Sequence, residues 1–172
     1  MLATFKELIA NQFEAAFCTL GVCIDRCPDS AWDAQVVNLK FCQVAFHTLF
    51  FADYYLEANA ESQQTQRFHL DNPDFFRDYE ELLPKRQELL YDKPSINKYL
   101  KHCRHKAATA IADETDEILR NPCGFKPKTF SRAELHVYNI RHIQHHAAQL
   151  SLRLRIDSSV DVPWIGSGWH EV

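Results

Sequence analysis

The sequence predicts an all-α protein, a four-helix bundle with a long crossover between its second and third helices. Apolar residues recur at intervals of three and four in four long stretches, the period of a helix with a buried face. Glycine is scarce, four in 172 residues, and all seven prolines fall outside those stretches. The length fits a single domain, residues 1–172, that can bury a core without covalent staples.

The first helix spans about Ala3 to Cys23, where Phe5, Leu8, Ile9, Phe13, Ala16, Phe17 and Leu20 form one face. Asp25 to Asp33, with Pro28-Asp29-Ser30, reads as a connection containing a turn. The second helix runs from about Asn38 to Ala60. Its apolar residues, from Leu39 to Leu56, cover most of the circumference, so it is expected to be largely buried. Glu61 to Asp92 is irregular, interrupted by Pro73 and Pro84, and forms the crossover; Phe75, Phe76, Tyr79, Leu82 and Leu83 suggest a short helix or packed flap.

The third helix begins at Ser95, behind Pro94, and extends to about Arg120. Ile96, Tyr99, Leu100, Cys103, Ala107, Ile111, Ile118 and Leu119 make its inner face, and Asn121-Pro122-Cys123-Gly124 stops it. The fourth helix opens with a capping box, Ser131-x-x-Glu134, in which side chain and amide exchange hydrogen bonds. It continues to about Ile156. The tail, with Pro163, Trp164, Gly166, Gly168 and Trp169, is expected to lie along the bundle, anchored by its tryptophans.

The charge, −4 without a basic cluster, gives no nucleic-acid surface. Lys98 to Lys106 reads as a solvated helix face. Lys6, Glu7 and Glu14 interrupt the apolar start that a signal peptide needs. The stretch Phe41 to Leu56 is broken by Gln43, His47 and Asp53 and falls short of the roughly 20 apolar residues of a membrane span. Six cysteines without a CxxC pair fit a reducing cytoplasm, Cys23 and Cys27 reading as small hydrophobes rather than ligands. No nucleophile triad, phosphate loop or dinucleotide glycine pattern occurs.

Histidine carries the functional signal. His142 and His146 are four apart, so on a helix both imidazoles leave one face a turn apart, the spacing that offers two nitrogens to one metal ion. His145 is the rival ligand, but it lies about 100° round the helix from His146. His47 sits in the apolar second helix among Val44, Phe46, Leu49, Phe50 and Phe51. A buried imidazole without partners forfeits about 1–3 kcal/mol per lost hydrogen bond, and a metal satisfies one of its nitrogens. His102 and His105 read as a solvated pair, His136 as a surface or helix-end residue, and His69 and His170 as histidines without helical partners. Glu57, Asp53 and Gln149 are candidates to support the ligands, although Asp53, six residues from His47, reads more simply as a surface carboxylate. Tyr54 lies two turns past His47 and reads as aromatic core.

These residues resemble the DinB/YfiT-like superfamily. His47 on the second helix followed by His142-x-x-x-His146 on the fourth matches its ligand placement. The run His145-His146-Ala147-Ala148-Gln149-Leu150 is similar to its His-His-Arg-Gly-Gln-Leu stretch, departing at Ala147 and Ala148. The resemblance covers nearly the whole chain. It implies a divalent metal, nickel or zinc, held by His47, His142 and His146, with open positions facing a pocket, and a homodimer. It also implies a small-molecule substrate, with transfer of a low-molecular-weight thiol favoured over hydrolysis; no catalytic residue is assigned. The alternative is a non-catalytic bundle that binds a metal or a small molecule. Structural zinc closes its shell with four protein ligands, and no fourth stands out here.

Overall fold

The computed structural model describes residues 1–77 and 79–167. The protein is all-α: four long helices, α1 (Leu2–Arg26), α3 (Phe41–Leu56), α6 (Lys93–Asp113) and α8 (Arg132–Ser158), carry most of the chain. Short helices α2 (Asp29–Trp32), α4 (Arg67–Leu70), α5 (Pro73–Phe76) and α7 (Asp116–Arg120) lie between them. α1 and α3 each pack against both α6 and α8. Gly21 lets α1 approach α6 closely, since a methyl group there would lie 3.2 Å from Leu100.

The boundaries of the second and third long helices differ from the sequence reading. The second long helix starts at Phe41, not Asn38, because Gln35–Val36 (β1) and Leu39–Lys40 (β2) pair as a small antiparallel hairpin. Gln43 Oε1 then accepts the Lys40 amide at 2.9 Å and starts the helix. The third helix breaks after Asp113. Thr115 takes the Ile118 amide at 3.2 Å and caps the separate α7, so Ile118 points outward at 43% exposure instead of continuing an inner face. α8 keeps its expected start, with Ser131 Oγ accepting from the Glu134 amide at 3.3 Å. Trp164 does not anchor the tail: it is 87% exposed, while Val162 is buried and Val160 and Ile165 pack on the core in its place. Gly168, Trp169 and His170 lie outside the described residues.

The crossover is a packed layer. Tyr91 stacks on Phe46 of α3 at 3.9 Å, Phe75 and Phe76 meet the same ring, and Trp32 Nε1 donates to the Tyr91 carbonyl at 2.7 Å. These contacts hold the segment from α4 to Asp92 against the middle of α3. Among the described residues, α1 is the helix long and apolar enough to cross a membrane. Of its apolar window, 67% is buried inside the fold, as in a core helix.

Candidate metal centre

α3 and α8 pack side by side, and Asn139 Nδ2 donates to the Ala52 carbonyl at 2.9 Å between them. α8 buries Leu135, Asn139, Ile143, Ala147, Leu150 and Leu154. His142 and His146 lie one position to the side of that stripe, which turns them toward His47 on α3. Ligand nitrogens of His47, His142 and His146 lie within 4.8 Å of one another. Ring centroids are 4.7 Å apart for His142 and His146, 4.8 Å for His47 and His146, and 5.5 Å for His47 and His142. Nitrogens about 2.1 Å from a shared ion lie about 3–3.5 Å apart, so the rings need close by less than about 2 Å. Among the described residues this group has three members.

His142 and His146 are in the form a metal requires. Burial, then the neighbouring His146 and His47, pushes the His142 pKa down to about 3. Burial and His47 push His146 down to about 4. Both are neutral at pH 7, with lone pairs available. Both ring nitrogens of His142 are buried without a hydrogen-bond partner. Each such nitrogen costs on the order of 1–3 kcal/mol, and a bound ion would satisfy one of them.

Two ligands are held by hydrogen bonds. His47 Nδ1 lies 2.7 Å from the buried carboxylate of Glu81, and donating there leaves Nε2 for a metal. His146 Nδ1 lies 2.9 Å from Gln149 Oε1, which makes the same assignment. Gln149 Nε2 in turn donates to His145 Nε2 at 3.0 Å. His145 is exposed and outside the cluster, and it braces Gln149. Ala147 is fully buried, its carbonyl accepting from Cys23 Sγ, so the position where the resembling family carries arginine faces the core.

A cavity of about 830 Å³ opens beside His47 and Phe51. The β1–β2 hairpin walls one side, through Gln35, Val37 and Leu39, and the crossover walls the other, through Glu81, Arg86 and Gln87.

Several other sequence readings are corrected. Asp53 is no surface carboxylate: it is fully buried. It accepts from His69 Nε2 at 2.7 Å, Tyr99 Oη at 2.8 Å, Gln66 Nε2 at 3.1 Å and Lys106. Burial alone would raise its pKa, but hydrogen bonds from His102 and His69 and the Lys106 charge hold it far below the carboxylate range. His69, expected to lack a helical partner, is thus tied to α3. His102 and Lys106 are half-buried rather than solvated. His102 stacks on Phe68 at 4.0 Å and donates to Gln66, and Lys106 joins Asp53 to Glu57. His136 is buried, its Nε2 2.8 Å from Glu114. Arg132, from the same helix, bonds Glu114 and the carbonyls of Tyr55, Leu56 and Glu57, capping the end of α3. The structure thus keeps Asp53, Glu57 and Tyr54 away from the ligands, Tyr54 packing on Phe51 and Phe125. His105 is exposed, as expected. All six cysteines are buried, in line with their reading as small hydrophobes.

Glu81 was missed. Its only signal is an acidic pair, Glu80-Glu81, in a segment whose neighbours Tyr79 and Leu82 are apolar, and no periodicity ties it to His47. No protein-family model, curated protein or solved structure matches the chain.

Proposed function

We propose that the protein is a DinB/YfiT-like four-helix bundle whose His47, His142 and His146 hold one divalent ion, nickel or zinc. The cluster of three half-buried imidazoles, with both ring nitrogens of His142 buried and lacking a hydrogen-bond partner, carries this reading. An ion held by three protein ligands keeps open positions, and the cavity beside His47 is where a small molecule would reach them. When bound, a divalent ion in such a site lowers the pKa of a coordinated water or thiol. The chain's own groups fix the ligands: Glu81 and Gln149 set which imidazole nitrogen faces inward.

The reaction we favour is transfer of a low-molecular-weight thiol to an electrophile, ahead of hydrolysis, in a cytoplasmic homodimer. A panel of thiols with a chromogenic electrophile tests it on metal-loaded and chelator-treated protein. Conjugation that requires the metal supports the enzyme. Metal binding without turnover of any thiol or ester substrate leaves the second reading, a non-catalytic metal-binding bundle.

A further inference from the structure

Asp53 and His47 lie on the same helix, six residues apart, and the crossover returns to both. At Asp53 the return is through His69, whose Nε2 lies 2.7 Å from the carboxylate. The other ring nitrogen of His69, Nδ1, faces the Tyr79 hydroxyl at 3.0 Å. His69 is stacked on Phe76 at 3.6 Å and on Tyr79 at 5.6 Å, so its ring cannot turn without breaking both hydrogen bonds. Two residues beyond Tyr79 comes Glu81, 2.7 Å from His47 Nδ1. The Tyr79 carbonyl accepts the Leu82 amide at 2.9 Å, closing the turn on which Glu81 rides.

This segment does not keep its shape through local preference. Arg77 and Tyr79 have φ of 45° and 56°, a region that side chains other than glycine disfavour. Tertiary contacts must therefore hold it, among them the Tyr79 hydroxyl bond to His69. Other polar sites carry less: the Glu114–His136 pair beside α7 is a helix-end brace.

We infer that His69 and Tyr79 are positioning residues for the metal ligand His47. Anchored on Asp53, they place Glu81, and Glu81 fixes the tautomer and orientation in which His47 meets the ion. This rests on the metal-binding reading of the three histidines.

The test uses Tyr79→Phe, Glu81→Gln and the double variant, with zinc affinity measured by competition against a chromophoric chelator. Tyr79→Phe keeps the ring that stacks on His69, so the fold is retained. Groups that orient a ligating histidine typically change metal affinity 10–100-fold. We expect Glu81→Gln to weaken zinc at least tenfold and Tyr79→Phe about tenfold. The double variant should match Glu81→Gln within about threefold, since Tyr79 acts through Glu81. A purely structural Tyr79 would give losses that multiply. In parallel, nitrogen spectra of metal-free, histidine-labelled protein should show His47 protonated at Nδ1 in the wild type and a tautomer mixture in Tyr79→Phe. Wild-type affinity and an unchanged His47 tautomer in Tyr79→Phe overturn the inference. If the wild type binds no zinc, the metal reading fails by itself and the tautomer spectra decide the positioning role.

Discussion

Glu81 and His47 are separated by 34 residues and joined by a 2.7 Å contact between a buried carboxylate and Nδ1. That contact occupies Nδ1 and leaves Nε2 of His47 free to meet an ion. It makes the crossover part of the centre rather than a lid over one end of the fold.

Gln149 plays the matching part on α8, bridging His146 and His145. Replacing it with leucine removes the acceptor but leaves all three ligands. Zinc affinity should fall about tenfold, as for other groups that orient a ligating histidine, with the circular-dichroism spectrum unchanged. His145→Ala should weaken zinc less than Gln149→Leu, because it loosens only the brace. An equal or greater loss in His145→Ala would point to His145 as a ligand.

Acid should destabilise the metal-free protein before its carboxylates titrate. The folded-state values of His142 and His146, about 3 and about 4, lie below the ordinary histidine value of 6.5. Between those values the unfolded chain binds more protons than the folded one, so stability falls as pH drops below about 6.5. The slope is at most about 1.4 kcal/mol per pH unit for each histidine. Urea midpoints at pH 7.5 and pH 5.5 should differ in the metal-free wild type and differ less in His142→Gln. Equal midpoints would show that these rings are not held neutral by burial.

A second acid transition should follow at lower pH. Asp53 and Glu114 are both held below their ordinary values, so their contributions are present above about pH 4 and are lost as pH falls further. Asp53→Asn is expected to destabilise by about 3–5 kcal/mol at pH 7, because Lys106 loses its buried counter-charge. Chemical denaturation measures this directly. A loss under about 1 kcal/mol would mean that the network around Asp53 relaxes freely.

Metal should stabilise the fold through linkage. With zinc at about a hundred times its dissociation constant, binding adds about 2.7 kcal/mol. A calorimetric scan should show the transition rise with zinc in the wild type and stay fixed in His47→Ala.

The four long helices and two of the three clustered histidines were legible because they are local. Periodicity located α1, α3, α6 and α8, and i,i+4 spacing paired His142 with His146. His47 was legible as a polar residue inside an apolar run. By the same rule Asp53 was legible too, since it lies in the run from Phe46 to Leu56 and is buried there. It was misread because its partners, His69, Tyr99 and Lys106, come from segments whose own patterns looked irregular or solvated. Glu81 and the β1–β2 hairpin were out of reach for a related reason. Glu81 is set by the crossover packing on α3, through Phe75, Phe76 and Tyr91, and the hairpin by its own packing on α3 and α8; such long-range packing leaves no period in the chain. Lys106 shows the limit of charge counting, since one buried carboxylate draws in a cation that its neighbours mark as solvated.

Metal content per chain tests the three-histidine centre most directly. Protein purified without chelator, then dialysed against zinc or nickel, is analysed by elemental mass spectrometry beside His47→Ala and His142→Ala. About one ion per wild-type chain, lost in both variants, is the expected result. A wild-type chain that takes up neither metal, or variants that keep the full complement, would contradict it.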